Sequence, residues 1–153
     1  MRITAFSDVS LRALMFLAAL PEGELATSRV IAEAVATPYS HVSKAVMRLR
    51  ELGLVESLRG RAGGVRISPS GRTATVGWLL RQLDTRADVA DCETPHGDCP
   101  LSDGCGLRRA LRRAREAFYA ELDGIVIAGL PHIGFRIGGL TLAPPAQRRA
   151  DQG

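Results

Sequence analysis

The sequence predicts a mainly α-helical protein with one small β-hairpin. Apolar residues recur every three or four positions through much of 4–52 and again through 107–125, which is the period of helices with one buried face. Between these stretches, the short runs 54–58 and 65–68 flank a glycine-rich segment, a pattern typical of a hairpin. With 153 residues and 46% hydrophobic content, the chain can bury a core without disulfides.

The first predicted helix runs from about Thr4 to Leu20 and ends before Pro21. Its apolar residues fit one helical face, and they are Phe6, Val9, Leu14, Leu17 and Ala18. Asp8 and Arg12 lie one turn apart and can form an ion pair. The segment imitates a signal peptide, but these two charges precede the apolar run, and that run is too short to cross a membrane. We therefore expect a cytoplasmic protein with no membrane partner.

Two more helices follow, and the second of them has a polar face. Thr27 can cap a short helix, and Pro38 then lies near the first turn of a third helix that runs to about Leu52. Six residues of this third helix are candidate contacts to DNA bases or phosphates: Tyr39, Ser40, His41, Ser43, Lys44 and Arg48. A merely solvated helix face would show the same pattern.

The predicted hairpin has a flexible, basic tip. It contains Arg59 and Arg61 among three glycines, and these arginines can meet phosphates or enter a minor groove. From Pro38 to Arg72, seven basic residues accompany only two acidic ones, and the whole chain has a net charge of +4. This order of elements is that of a winged helix-turn-helix domain, whose third helix enters a major groove of double-stranded DNA.

A further helix is predicted after the hairpin, and an acidic segment containing every cysteine of the chain follows it. Thr75 can cap the helix, which runs through Leu83, and Trp78 is expected to lie in the core. The three cysteines are Cys92, Cys99 and Cys105. Three thiols in one short loop predict metal ligands rather than disulfides, because an odd number would leave one thiol unpaired.

Two kinds of metal centre fit these thiols. One is an iron-sulfur cluster, favoured by Cys105 near the start of the next helix, where backbone dipoles stabilise a thiolate. The other is a structural zinc ion with His96 as a fourth ligand, although the spacing is not that of a standard zinc finger. An enzyme finds little support, because the sequence has no Cys-x-x-Cys pair and no recognisable nucleophile and base.

The last predicted helix begins at Ser102 or Gly106 and ends at about Asp123. Its apolar residues alternate three and four positions apart, which is typical of a coiled-coil-like contact in a homodimer; they are Leu107, Leu111, Ala114, Phe118, Leu122 and Ile125. The sequence thus predicts a DNA-binding domain at 1–84, a cluster loop at 85–106, a dimerisation helix region at 107–130 and a tail at 131–153 that is partly disordered or forms an edge element.

Four short motifs resemble those of a known family. They are Arg2-Ile3-Thr4 with Phe6 and Asp8; Pro38-Tyr39-Ser40-His41 followed by Lys44-Ala45; the hairpin tip 59–64; and the three cysteines before Leu107-Arg108-Arg109-Ala110. From Met1 to about Leu130, the chain resembles the winged-helix repressors of the family that includes IscR and NsrR. It is most similar to the nitric-oxide-sensing NsrR members.

The resemblance implies a homodimeric repressor with one iron-sulfur cluster per subunit, bound by Cys92, Cys99 and Cys105. A 4Fe-4S cluster fits it best, with 2Fe-2S as the alternative. In the NsrR members, an aspartate in the first helix reaches across the dimer as the fourth ligand, and Asp8 matches that position. IscR-like members use a histidine where this chain has Arg108. Nitric oxide would nitrosylate the cluster and thereby release the operator.

The chain departs from the family pattern in one place. Six residues separate Cys92 from Cys99, one more than in that pattern. The loop must therefore bulge, and His96 within it becomes a competing candidate for the fourth ligand in place of Asp8.

Overall fold

The computed structural model describes residues 3–60, 63–84, 99–100 and 104–130, with the backbone of 136–137 and 140–141. In chain order, the elements are helices α1 (Ala5–Ala19), α2 (Ser28–Ala34) and α3 (Tyr39–Glu51), strands β1 (Val55–Leu58) and β2 (Gly64–Ile67), helices α4 (Pro69–Thr73), α5 (Val76–Leu83) and α6 (Gly106–Leu122), a 3-10 turn (Ile127–Gly129), and strands β3 (Arg136–Ile137) and β4 (Leu140–Thr141). The predicted class, mainly α with a small β wing, is confirmed.

Helices α1, α2 and α3 pack around one apolar core. Leu14 and Phe16 of α1, Ile31 of α2 and Leu49 of α3 have no exposed surface. The helices begin where the sequence predicts, because threonine hydroxyls accept backbone N–H groups there: Thr4 caps α1 and Thr27 caps α2. Each such cap contributes about 1 kcal/mol.

The wing is an antiparallel hairpin fastened to the helical domain. Val55 pairs with Ile67 at one end of the hairpin, and Leu58 pairs with Gly64 at the other. Val65 also exchanges two backbone hydrogen bonds of 2.9 Å with Ala26, just before α2. A Cβ on residue 64 would lie 2.9 Å from the Ala26 carbonyl oxygen, so glycine permits this close approach. The hairpin therefore has a fixed position relative to α2, close to its tip.

Two features between the wing and α5 differ from the sequence prediction. Helix α4 was not predicted, and Ser68 caps it. Gly71 within it packs against the Leu54 backbone and the Ile67 side chain, and a Cβ at this position would lie 2.8 Å from the Ile67 side chain. The prediction that Trp78 lies in the core is wrong, since it is 39% exposed. It faces away from the buried side of α5 and lines an open groove of about 450 Å³ beside Leu52.

Helices α5 and α6 are joined by close backbone packing and an ionic cluster. A Cβ on Gly77 would lie 2.8 Å from the Asp123 backbone nitrogen, so a larger residue would push the helices apart. Arg81 donates to both Asp123 carboxylate oxygens at 2.6 and 2.8 Å, and its guanidinium lies over the Tyr119 ring. The Tyr119 hydroxyl donates to Asp84, the C-cap of α5. Helix α6 thus holds the end of α5.

The raised pKa of Tyr119 leads us to expect that the protein loses stability at alkaline pH. Burial, followed by the hydrogen bond to Asp84, raises the pKa of Tyr119 to about 12. Because the unfolded chain loses this proton at a lower pH, the stabilisation is complete below about pH 10 and roughly 2 kcal/mol is lost as pH rises towards 12. We expect urea unfolding to show this decline, and Tyr119→Phe to remove it. An equal fall of the unfolding free energy with pH in both proteins would contradict the assignment of this decline to Tyr119.

The described part of the tail is the antiparallel pair β3–β4, in which Arg136 lies opposite Thr141. Strand β3 lies against α2. The remainder of the predicted tail lies outside the described residues. In the ranges that the structure describes, no helix is long and apolar enough to cross a membrane.

Candidate DNA-binding face and cysteine site

The face of α3 that points away from the core carries most of the predicted DNA contacts. Val42, Ala45, Val46 and Leu49 anchor the opposite side of the helix in the core. As a result, Ser40, His41 and Lys44 are exposed, Tyr39 is 53% exposed and Ser43 is half-buried. These residues share the exposed side of α3 with Met47, which is 53% exposed, and their contacts with DNA remain a prediction.

Arg48, also predicted to contact DNA, has partners within the protein. Its Nη1 donates to Glu51 Oε2 at 3.1 Å, and its Nη2 donates to the Gln82 carbonyl oxygen at 3.3 Å. Glu51 therefore balances its charge, and the bond to Gln82 ties α3 to α5. A DNA contact by Arg48 would require these bonds to open.

Three other cations of the DNA-binding domain differ from Arg48 in this respect. No acidic side chain in the described ranges pairs with Lys44, Arg59 or Arg29. The sequence analysis missed Arg29, which lies on α2 with its guanidinium 5.7 Å from the Tyr39 ring centroid. No local pattern could have identified it, because its position depends on how α2 packs against α3. Arg61, at the tip of the wing, lies outside the described residues.

Two of the three predicted thiol ligands lie within the described residues. Cys99 and Cys105 are half-buried, and both are free thiols. Cys105 directly precedes α6, and its carbonyl oxygen accepts the Arg109 N–H at 3.3 Å. The start of a helix favours a thiolate, and soft thiolate sulfur fits an iron-sulfur cluster or zinc. The donor chemistry of the described thiols therefore fits the cluster that the family resemblance implies.

The structure does not describe every candidate ligand of these thiols' metal centre. Cys92 and His96 lie outside the described residues. Within the described ranges of this single chain, no group of three His, Cys, Asp or Glu side chains could hold a metal ion. A complete ligand set would require Cys92 together with either His96 or a residue of another subunit.

Asp8 lies on the surface at the first turn of α1. Its Oδ2 accepts Arg12 Nη2 at 2.5 Å, and Arg12 Nη1 donates to the Val35 carbonyl oxygen at 2.9 Å. The i,i+4 ion pair is therefore confirmed. Ile3 and Phe6 nearby are 44% and 38% exposed, so the assignment of Phe6 to the buried face of α1 is wrong. The Asp8 carboxylate and these two apolar side chains are therefore accessible to another chain.

The apolar seam of α6 is exposed at its N-terminal end and partly buried further along. Leu107 is 68% exposed, Leu111 and Phe118 are half-buried, and Tyr119 is the buried residue of the helix. Tyr119 contacts Asp84 and Arg81 of the α5 region, and its ring lies 5.6 Å from that of Phe118. Phe118 and Leu122 pack against the core of the same subunit, whereas Leu107 at the start of the seam remains accessible to another protein surface.

Comparison with known sequences identifies relatives along most of the chain. The sequence model of the Rrf2 family, described as an iron-dependent transcriptional regulator, matches residues 3–132. The HTH-type transcriptional repressor NsrR of Streptomyces coelicolor is 52% identical over 134 residues, covering 85% of this chain and 88% of that protein. The HTH-type transcriptional regulator NsrR of Geobacillus kaustophilus is 37% identical over 131 residues, covering 85% and 89%.

Solved structures share the fold. CymR, the global cysteine regulator of B. subtilis, has a TM-score of 0.64 at 23% identity, covering 85% of this chain and 95% of its own. IscR of T. potens has a TM-score of 0.64 at 20% identity, with 84% of each chain covered. At these identities, the two structures support the fold alone. The curated relatives are transcriptional regulators and not enzymes, as the sequence predicted.

Proposed function

Because the chain belongs to the Rrf2 family of iron-dependent transcriptional regulators, we propose that it is a cytoplasmic homodimeric repressor that senses nitric oxide through an iron-sulfur cluster. The observation that carries the proposal is the position of the two free thiols. Cys105 directly precedes α6, where the exposed Leu107 begins an apolar seam that suits a dimer contact, and Cys99 lies six residues before Cys105. The 52% identity to a protein named NsrR supports the choice of signal.

The DNA contacts follow from the exposed face of α3 and from the wing. Ser40, Ser43 and Lys44 would face base edges or phosphates in the major groove of the operator. Arg59 and Arg61 would meet the neighbouring minor groove or backbone. Since the backbone hydrogen bonds between Ala26 and Val65 fix the hairpin next to α2, the two contact regions would keep a constant separation.

The cluster would be held by Cys92, Cys99 and Cys105, with 4Fe-4S favoured over 2Fe-2S and Asp8 of the partner subunit as the fourth ligand. When bound, it supplies iron atoms that react with nitric oxide. A carboxylate oxygen is a harder donor than a thiolate and thus the more easily displaced ligand. The exposure of Asp8 among Ile3 and Phe6 supports its reaching another chain.

Arg12 gives Asp8 a second partner within its own subunit. A carboxylate that leaves the cluster can pair with Arg12, as in the structure described. Arg12 also holds the Val35 carbonyl oxygen at the end of α2, just before the turn into α3. Arg12 therefore contacts both Asp8 and the corner of the helix-turn-helix, and its bond to Val35 does not require Asp8.

Asp8→Ala is expected to shorten the lifetime of the cluster while leaving DNA binding by the apoprotein intact. The half-exposed ion pair with Arg12 contributes at most about 1 kcal/mol, so the domain should still fold. Cluster lifetime is measured as the decay of visible absorbance in air, and apoprotein binding as fluorescence anisotropy of duplex DNA. An undiminished lifetime, together with a shortened one in His96→Ala, would assign the fourth ligand to His96 instead.

A winged-helix regulator with structural zinc, responding to a different signal, is the alternative. It is favoured by the same free thiols, since Cys92, His96, Cys99 and Cys105 are acceptable zinc ligands. Anaerobic purification followed by analysis of iron, sulfide and zinc separates the two. We expect brown protein with iron and sulfide in equal amounts, whereas colourless protein with zinc would overturn the proposed function.

A further inference from the structure

Arg29 and Tyr39 form an exposed pair where α2 and α3 meet. Arg29 is the second residue of α2, and Tyr39 is the first residue of α3. The Arg29 guanidinium carbon lies 5.7 Å from the centroid of the Tyr39 ring, within the range of a cation-π contact. Tyr39 nevertheless keeps 53% of its surface exposed. The pair is thus ordered by its own contact and remains accessible from outside.

The charge of Arg29 is not balanced within the described part of the chain. Arg12, Arg48 and Arg66 of the same domain pair with Asp8, Glu51 and Glu56 respectively. Arg29 has an aromatic ring beside it in place of a carboxylate. A ring face leaves the N–H groups at the edge of the guanidinium free, and their planar fork matches the oxygens of a phosphate.

We propose that Arg29 and Tyr39 together bind one backbone phosphate of double-stranded DNA. The guanidinium donates N–H groups and the phenol donates its O–H to phosphate oxygens. Stacking on the ring holds the long Arg29 side chain in place before binding, which lowers the entropy lost when the phosphate arrives. The inference rests on the proposed function and adds α2 to the DNA-binding surface of α3 and the wing.

A phosphate is favoured over a base edge by the position of the pair. Ser40 and Lys44 occupy the middle of the exposed face of α3, whereas Tyr39 and Arg29 lie at its edge. In helix-turn-helix docking, the helix before the recognition helix crosses the DNA backbone. Contacts of this kind fix the orientation of the protein and carry no sequence information. The pair should therefore contribute equally to all DNA sequences.

The inference is tested by comparing the DNA affinity of Arg29→Ala with that of Arg113→Ala, a variant that loses the same charge elsewhere. The probes are a duplex enriched by repeated selection on the unsubstituted protein and a duplex of random sequence. We expect the variant to bind both about five- to thirtyfold more weakly, and the slope of log affinity against log salt to become shallower by about one. Arg113→Ala, on the exposed side of α6, removes the same charge and should change affinity less than about twofold.

Two further variants separate a phosphate contact from a role in folding. Tyr39→Phe keeps the ring and should lose part of the affinity, while Arg29→Lys should keep most of the salt dependence. Thermal unfolding followed by circular dichroism should show unchanged stability for all variants.

Equal affinities of Arg29→Ala and Arg113→Ala would overturn the inference, as would a loss restricted to the selected duplex. If the unsubstituted protein bound neither duplex, the proposed function would fail as well.

Discussion

Replacing Cys99 with alanine is expected to abolish iron-sulfur cluster binding and to weaken operator binding by roughly tenfold or more, within the usual range of coupling between two sites. Cys99 is a free, half-buried thiol, so it is available as a ligand. Without it, two cysteines remain, and two thiolates with one carboxylate cannot complete the ligand set of a cluster. Visible absorbance and iron and sulfide per subunit, measured on anaerobically purified protein, report the loss.

Ser102→Ala, in the same segment, is the matched control and should retain the absorbance of the unsubstituted protein. An unchanged visible spectrum in Cys99→Ala would remove this cysteine from the ligand set. If Cys99→Ala loses its visible absorbance and also its helical circular dichroism, the substitution has caused a folding defect instead. Cys105→Ala should then decide the question, because Cys105 precedes α6 and its backbone carbonyl contact does not depend on the thiol.

Leu107→Glu is expected to separate the subunits and to lower operator affinity by about a hundredfold or more, because two linked DNA-binding domains become independent. Leu107 is 68% exposed in a single subunit, so the substitution leaves the core of that subunit intact. In a coiled-coil-like contact, the glutamate would place a charge in the apolar interface between the two α6 helices. Sedimentation equilibrium measures the oligomeric state, and fluorescence anisotropy measures the affinity.

Ala117→Glu introduces the same side chain on an exposed position of α6 outside the seam, and it should remain dimeric. Leu107→Glu that still sediments as a dimer and binds the operator normally would exclude the α6 seam as the dimer contact. Asp8 would then lack the proposed route to a partner cluster.

Elements determined by local chemistry could be predicted from the sequence. Thr4, Thr27 and Thr75 each cap a helix where the sequence places one, and the boundaries of α3 and the wing agree within about two residues. Helix α4 was missed because five residues are too few to show a period and Gly71 argues against a helix. Trp78 was misplaced because burial of one side chain depends on the rotation of α5 against its neighbours.

The candidate site likewise contains features that the local sequence predicts and features that depend on helix packing. The exposed face of α3 follows from its period, and the cysteines stand out by composition alone. The internal partners of Arg48 and the stacking of Arg29 on Tyr39 depend on how helices pack, so no pattern along the chain could indicate them. The ligand and DNA-contact roles of all the site residues stay predictions, and Cys92, His96 and Arg61 also lie outside the described ranges.

Nitric oxide is expected to release the anaerobically purified protein from operator DNA in step with the loss of its cluster. The measurement is a titration with nitric oxide, in which anisotropy of a labelled operator duplex and visible absorbance are recorded on the same sample. We expect both signals to fall together, and we expect Cys99→Ala to show no response to nitric oxide. Operator binding that persists after nitric oxide has removed the cluster absorbance would contradict the proposed function.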